Sequence, residues 1–261
     1  EPVVLDAGPD QGFKVTAAQL KESVTAATKG LILNSPSNPT GAVYSQKELE
    51  EIAQVCVENG IVVISDEIYS RLVYGSAKHM SIASLGDEIR NLTFMVNGVS
   101  KTYAMTGWRI GFAAGPEDAM KAIGRLQSQS TSNPTAVAQA ASLAALQGDQ
   151  TVVDEMRAEF NERRKIMVQG LNDIPGVSCW EPEGAFYCFP SVAGLIGGSI
   201  GGAAIGGSSD LARECLEKAR VALVPGDAFG AGEFVRLSYA TSREKIQEGL
   251  KRIGEFVSVR S

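Results

Sequence analysis

Ile61-Val62-Val63-Ile64-Ser65-Asp66-Glu67-Ile68-Tyr69 points to the architecture of this chain more directly than any other segment. It opens with a β-branched run that is apolar on both faces, as a parallel strand covered on both sides reads. It ends in an acid and a phenol. Immediately upstream, Ser45-Gln46-Lys47-Glu48 forms a capping box. Behind that box Leu49, Ile52, Ala53, Cys56 and Val57 share one helix face, and Asn59-Gly60 stops the helix. Before the helix lies another short apolar run, Leu31-Ile32-Leu33, ending at Asn34. Strand, helix, strand in this rhythm predicts right-handed βαβ units and an open, mostly parallel sheet flanked by helices. Further strands are expected at residues 92–96 and 110–114.

Toward the N-terminus, Val3-Val4-Leu5 reads as a strand, and Thr16-Ala17-Ala18-Gln19 as the start of a helix reaching about residue 27. Toward the C-terminus, helices are expected at 117–130 and 133–147, the second with Asn133 as cap and Pro134 in its first turn. A long polar helix at 152–171 carries Arg157, Arg163, Arg164 and Lys165, which read as a solvated face. Beyond Pro175 the texture changes. Residues 177–180 and 185–189 read as strands joined by a Glu-Pro-Glu-Gly turn, and the glycine-rich 194–207 as a mobile loop. A helix at 209–219, strands at 221–224 and 234–238 and a last helix at 242–257 close the chain. The expected division is residues 1–153, part of a large domain, and 154–261, a smaller α+β domain, linked by the helix at 152–171.

The chain has 261 residues, 44% hydrophobic and 21% charged, enough to bury a real core. Its 24 basic and 30 acidic residues leave a net charge of −6, which argues against non-specific nucleic-acid binding and against docking on an anionic membrane. No apolar run approaches the ~18 residues of a membrane span. Cys56, Cys179, Cys188 and Cys215 form no CxxC pair and read as small, reduced apolar residues of a cytoplasmic protein. The single histidine, His79, reads as loop surface. One histidine disfavours a zinc site or a Ser-His-Asp triad, and no metal is expected. No secretory signal is visible, and the sequence starts at Glu1 rather than Met.

In an open parallel sheet, ligands sit beyond the carboxyl ends of the strands. Here three strands lead to Asn34-Ser35-Pro36-Ser37-Asn38-Pro39-Thr40-Gly41, to Ser65-Asp66-Glu67-Ile68-Tyr69, and to Asn97-Gly98-Val99-Ser100-Lys101, with Arg109 a little further on. An amide, a carboxylate, a phenol, an amine and a guanidinium therefore gather on one rim. A buried amine suits a Schiff-base lysine, a carboxylate suits a ring nitrogen that must stay protonated, and a guanidinium suits an anion. Pyridoxal phosphate has all three partners. A nucleotide would also use a rim and an arginine, but neither GxGxxG nor GxxxxGK[ST] occurs.

Four ordered stretches carry a family resemblance: Asn34 to Gly41 as quoted, Ser65 to Tyr69, Ser-Lys-Thr-Tyr-Ala-Met-Thr-Gly-Trp-Arg-Ile-Gly at 100–111, and Val-Arg-Leu-Ser-Tyr-Ala-Thr-Ser at 235–242. Together, over about residue 13 to the C-terminus, the chain resembles class I/II aminotransferases of pyridoxal-phosphate fold type I, and most of all the bacterial-type aspartate aminotransferase branch. The resemblance implies that Lys101 forms the Schiff base with the cofactor aldehyde and then shuttles the proton at substrate Cα. It implies that Asp66 partners the pyridine nitrogen, that Tyr69 and Asn38 bond the cofactor's 3-oxygen, and that Arg109 and Ser100 contact the phosphate. Arg236 is implied as the fork for the substrate α-carboxylate, with Asn38 beside it. Many relatives carry a hydroxyl three residues before the lysine, where this chain has Gly98.

Taken singly, these residues have plainer readings: Asn38 as a turn residue before Pro39, Asp66 as a cap, Tyr69 as core, Lys101 as surface. Tyr103 and Trp108 read as packing. The reaction implied is transfer of an amino group between an amino acid, aspartate-type favoured, and a 2-oxo acid. Alternatives on the same fold are a prephenate or aromatic aminotransferase, a lyase, or the aminotransferase-like sensor domain of a transcription regulator. The family builds each site across a homodimer, so a homodimer is expected. The family's chain also has a substantial segment before the point matching Glu1, supplying part of the phosphate cradle. These residues are therefore expected to be a fragment that alone retains the cofactor poorly and has little activity, which visible absorbance of the purified 261-residue chain would measure.

Overall fold

A computed structural model describes residues 1–260. The chain divides into two compact units, Glu1–Ser37 with Ala42–Arg157, and Asn38–Gly41 with Ala158–Ser261. Ser261, the last residue of the expected second domain, lies outside the described residues.

The first unit begins with α1 (Ala17–Ser23), β1 (Gly30–Asn34), α2 (Gln46–Asn59), β2 (Val62–Asp66), α3 (Asp87–Arg90), β3 (Thr93–Gly98) and β4 (Gly111–Ala114). The four strands lie side by side in chain order. β1, β2 and β3 are parallel, whereas β4 returns antiparallel to β3. The connection to β4, residues 99–110, holds one turn of 3-10 helix and no α-helix of the kind that carries a parallel crossover. Both expected capping boxes form, at Thr16 and at Ser45, and Gly60 closes α2 in the left-handed conformation at φ 61. The buried side of α2, with Leu49, Ile52, Val55 and Cys56, packs with Leu33, Ile61, Val63, Ile82 and Ile89 into one core.

Several boundaries differ from expectation. Residues 3–5 form no strand, and Val3 and Val4 are exposed. α1 ends at Ser23 because a local turn takes over, in which the Thr25 N–H donates to Thr28 Oγ1 and the Thr28 N–H to the Thr25 carbonyl. β2 is buried on the α2 side only. Ile64 on its other face is 44% exposed, beside Ile32 at 76%.

Next come α4 (Glu117–Ser130), α5 (Ala136–Gln147) and α6 (Thr151–Asn172). α5 starts at Ala136, with Thr135 rather than Asn133 at the cap position, and the Asn133 amide donates to the Pro134 carbonyl instead. The boundary between units falls inside α6, between Arg157 and Ala158.

The second unit continues with β5 (Tyr187–Cys188), β6 (Ser199–Ile200), β7 (Ala203–Ala204), α7 (Ser208–Glu214), β8 (Val224–Pro225), β9 (Val235–Ser238) and α8 (Arg243–Ser258). β9 sits between β5 and β8, antiparallel to both. The expected hairpin of 177–180 with 185–189 does not form; only a single bridge joins Ser178 to Ser191, and β5 pairs with β9. The glycine-rich segment is not structureless. It folds as the β6–β7 hairpin, anchored by fully buried Ile200 and Ile205.

Arg164 departs from the solvated reading of α6. It is 6% exposed, donates to the Pro182 carbonyl at 2.7 Å and pairs with Glu181 at 2.9 Å. Its neighbour Glu159 accepts from Arg243 and Arg163, which hold its carboxyl down to about 2 and tie α8 to α6.

Leu49 is 1% exposed at the centre of the first core. Leu49→Ala is expected to cost about 2–5 kcal/mol, read as a lower urea midpoint with unchanged slope.

Candidate active site

Parallel pairing aligns the ends of the central strands. Asn34 stands opposite Asp66, and Asp66 opposite Val96. The Asn34 side-chain amide donates to the Asp66 carbonyl at 3.0 Å, which fixes the β1 and β2 ends together. Past that edge the chain turns. Asp66 Oδ1 accepts the Ile68 N–H at 3.1 Å, an Asx turn that holds the half-buried carboxylate at the strand tip. The Glu67 N–H donates to the Val96 carbonyl at 2.9 Å, so the turn stays tied to β3.

Tyr69 closes this turn and is 3% exposed. Lys101 Nζ lies 5.9 Å from the centre of the Tyr69 ring, which brings together the amine and the phenol singled out in the sequence. Lys101 and Ser100 are both half-buried. A side-chain bond also joins the two loops: Asn97 Nδ2 donates to Ser70 Oγ at 3.0 Å, while Asn97 Oδ1 accepts the Gly98 N–H at 2.7 Å.

Gly98 pairs with Gly111 where β3 meets β4. A Cβ on Gly98 would lie 2.8 Å from the Ile110 carbonyl oxygen and 3.1 Å from Gly111 Cα. That crowding gives a physical reason for glycine, rather than a hydroxyl residue, three positions before Lys101. Arg109 precedes β4 in the left-handed conformation at φ 54. It is exposed, and its Nη1 donates to the Thr106 carbonyl at 2.8 Å.

In the second unit Arg236 and Asn38 meet. Arg236 Nη1 donates to Asn38 Oδ1 at 2.8 Å. The guanidinium carbon lies 4.5 Å from the centre of the Tyr187 ring and 5.2 Å from that of Phe229. Two aromatic faces and one amide thus orient the fork before any anion arrives. Asn38–Pro39 is a cis peptide bond, as is Ser35–Pro36 in the first unit.

Sequence reasoning missed a cluster behind Asp66. Glu67 is 5% exposed and accepts three hydrogen bonds. Ser65 Oγ at 3.0 Å and Ser81 Oγ at 2.5 Å reach Oε1, and His79 Nε2 at 3.0 Å reaches Oε2. His79 is therefore not loop surface; its side chain is 13% exposed and held by a buried acid. Strand alternation, which sends residue 67 to the opposite face from residue 66, was the available signal. Tyr187 and Phe229 gave none, since their meeting at Arg236 depends on β5–β9 pairing. Tyr103 does pack, with its hydroxyl donating to Gln150 at 2.9 Å, but Trp108 is 45% exposed.

Comparison with known proteins agrees with this architecture. The family model for aminotransferase class I and II matches residues 2–253. Aspartate aminotransferase of Geobacillus stearothermophilus is 46% identical over 263 residues, spanning all of this chain and 65% of that enzyme. A probable aspartate/prephenate aminotransferase of Aquifex aeolicus is 49% identical over 97% of this chain and 63% of its own length. The crystal structure of the Rhizobium meliloti aspartate aminotransferase superposes with a TM-score of 0.96 at 41% identity, covering 100% of this chain and 66% of that one. The chain belongs to the class I and II aminotransferases and has their α/β fold, fold type I of the pyridoxal-phosphate enzymes. It spans about 65% of the length of the Geobacillus relative.

The Glu67 carboxyl illustrates how the cluster balances. Burial raises its pKa, but the hydrogen bonds from His79 and Ser81, the charge on His79 and the Ser65 bond outweigh burial and hold it below its ordinary 4.5. A carboxyl lowered in the folded state stabilises above its ordinary value, and that stabilisation is lost as pH falls through the folded value. Glu67→Gln should therefore lower stability at neutral pH and lose less of it than the unmodified protein between about pH 5 and pH 3, as urea midpoints at both pH values would show.

Proposed function

We propose that the protein is a pyridoxal-phosphate-dependent aminotransferase moving an amino group between an aspartate-type amino acid and a 2-oxo acid. The observation that carries the reading is the half-buried Lys101 amine beside the Tyr69 phenol, next to the turn that presents Asp66. This donor set fits the cofactor: an amine for an aldehyde, a carboxylate for a protonated ring nitrogen, a phenol for the 3-oxygen, and Arg109 with Ser100 for a phosphate. When bound, pyridoxal phosphate supplies an aldehyde that exchanges amines and a ring that accepts the electron pair left when the substrate Cα–H bond breaks.

The chain's own residues do the rest. Lys101 provides the nucleophilic amine and, once freed, takes the proton at substrate Cα as general base. Asp66 would supply the negative charge that favours a protonated ring nitrogen. Tyr69 and Asn38 would be the hydrogen-bond donors for the 3-oxygen. Arg236 grips the substrate α-carboxylate with two parallel charge-assisted bonds, and its aromatic neighbours limit the entropy lost in doing so. The names of the Geobacillus and Aquifex relatives support aspartate as the amino donor, and the second also supports prephenate as an acceptor. The active form is read as a cytoplasmic homodimer. Among the described residues, no helix is long and apolar enough to cross a membrane.

Borohydride reduction of the intact protein loaded with pyridoxal phosphate, followed by peptide mapping, is expected to place the pyridoxyl adduct on Lys101. An adduct on another lysine would overturn the assignment. Labelled aspartate should give labelled oxaloacetate with 2-oxoglutarate or prephenate as acceptor, and the ratio of the two rates ranks the acceptors. Arg236→Gln removes the fork and should lower kcat/KM for the amino acid by about 100-fold, carried mostly by KM.

A further inference from the structure

The cluster behind Asp66 takes no part in the chemistry assigned above. Glu67 lies between Asp66 and Tyr69 in a single turn, its side chain directed away from the strand face that carries Asp66. Its carboxylate is 6% exposed, and a buried charge persists only where hydrogen bonds replace water. Here Ser65, Ser81 and His79 replace it. An apolar residue of similar volume would fill such a place at equal or lower cost, so packing alone does not account for the acid.

The connections run outward to the site. The Glu67 N–H is held by the Val96 carbonyl, and the Glu67 carbonyl accepts the Ser70 N–H at 2.9 Å. Ser70 is in turn held by Asn97, on the strand that leads to Lys101. The His79 ring makes its hydrogen bond to Glu67 through Nε2, while Nδ1 is buried and has no partner. An imidazole oriented by that one bond serves the carboxylate and nothing else nearby.

We propose that Glu67, held by His79 and Ser81, is a positioning residue that fixes the Asp66–Tyr69 turn so that both flanking side chains are preorganised for the pyridoxal phosphate ring. This rests on the cofactor reading above. It concerns a residue that touches neither cofactor nor substrate and acts through its two neighbours.

The test uses the intact protein and three variants. Glu67→Gln keeps the volume but turns an amide toward His79. The bond from His79 then loses its anionic partner and is left to a neutral amide, and the brace loosens. Ser81→Ala removes one of the two hydroxyls on Oε1 and is the milder change. Leu49→Ala destabilises the first core through a residue that bonds to no member of the Glu67 cluster, and serves as control. Each is compared for cofactor affinity by absorbance titration, for the visible band of the bound cofactor at fixed pH, for kcat and KM, and for melting of the cofactor-free protein.

Glu67→Gln should weaken cofactor affinity about tenfold or more, shift the visible band, and lower kcat more than it changes KM. Ser81→Ala should move the same readouts in the same direction by less, whereas Leu49→Ala should lower melting alone. Should Glu67→Gln prove unfolded, Ser81→Ala decides by the same criteria. If the folded variants melt lower yet match the unmodified protein in affinity and band, the acid is merely structural and the proposal is wrong. If borohydride reduction of the unmodified protein at saturating pyridoxal phosphate leaves no adduct on Lys101, the cofactor reading falls first and this proposal with it.

Discussion

Parallel strands pair in register, so the point at which one stops is set against the points at which its neighbours stop. In this chain that rule governs everything beyond the sheet edge. Asn34, Asp66 and Val96 stand opposite one another, and the loops leaving them begin from one line. The alignment is reinforced across strands rather than along them, by Asn34 to the Asp66 carbonyl and by Glu67 to the Val96 carbonyl. Chemistry needs an acid, a phenol and an amine held at fixed separations. A shared edge supplies that with few additional contacts, because the strands have already lost their conformational freedom to the core.

The second unit solves a different problem by different means. A guanidinium that must grip an anion is useful only if its plane is set beforehand. Arg236 sits on β9, the middle strand of a small antiparallel sheet, and the ring of Tyr187 from neighbouring β5 lies against it. Phe229 and the Asn38 amide complete the surroundings. Rigid aromatic faces have few rotamers to lose, so the fork is prepared at low entropic cost.

The parts of this arrangement that local chemistry dictates were readable from the chain alone. The Ser45 box, the Gly60 stop and the strand at Val62–Asp66 follow from capping and from β-branched content, and the rim residues follow from where strands end. What could not be read depends on distant pairing. The partner of Tyr187–Cys188 is Leu237–Ser238, far along the chain, not the near segment at 177–180, and local alternation carries no information about that choice. His79 and Arg164 failed for the same reason. Each is polar and sits in a polar stretch, and each is drawn inward, His79 partly and Arg164 fully, because a residue elsewhere along the chain, Glu67 or Pro182, offers it a partner. Trp108 failed the other way, an aromatic left partly in solvent.

The contact between Gly98 and Gly111 has a consequence for how this protein can vary. It cinches the base of the loop that carries Ser100, Lys101 and Arg109, while bonds such as Ala104 to Lys101 and Trp108 to Met105 are made within the loop itself. At the neck a single methyl group on Gly98 would press against the opposite backbone, so the two ends of the loop are held close by the absence of side chains there.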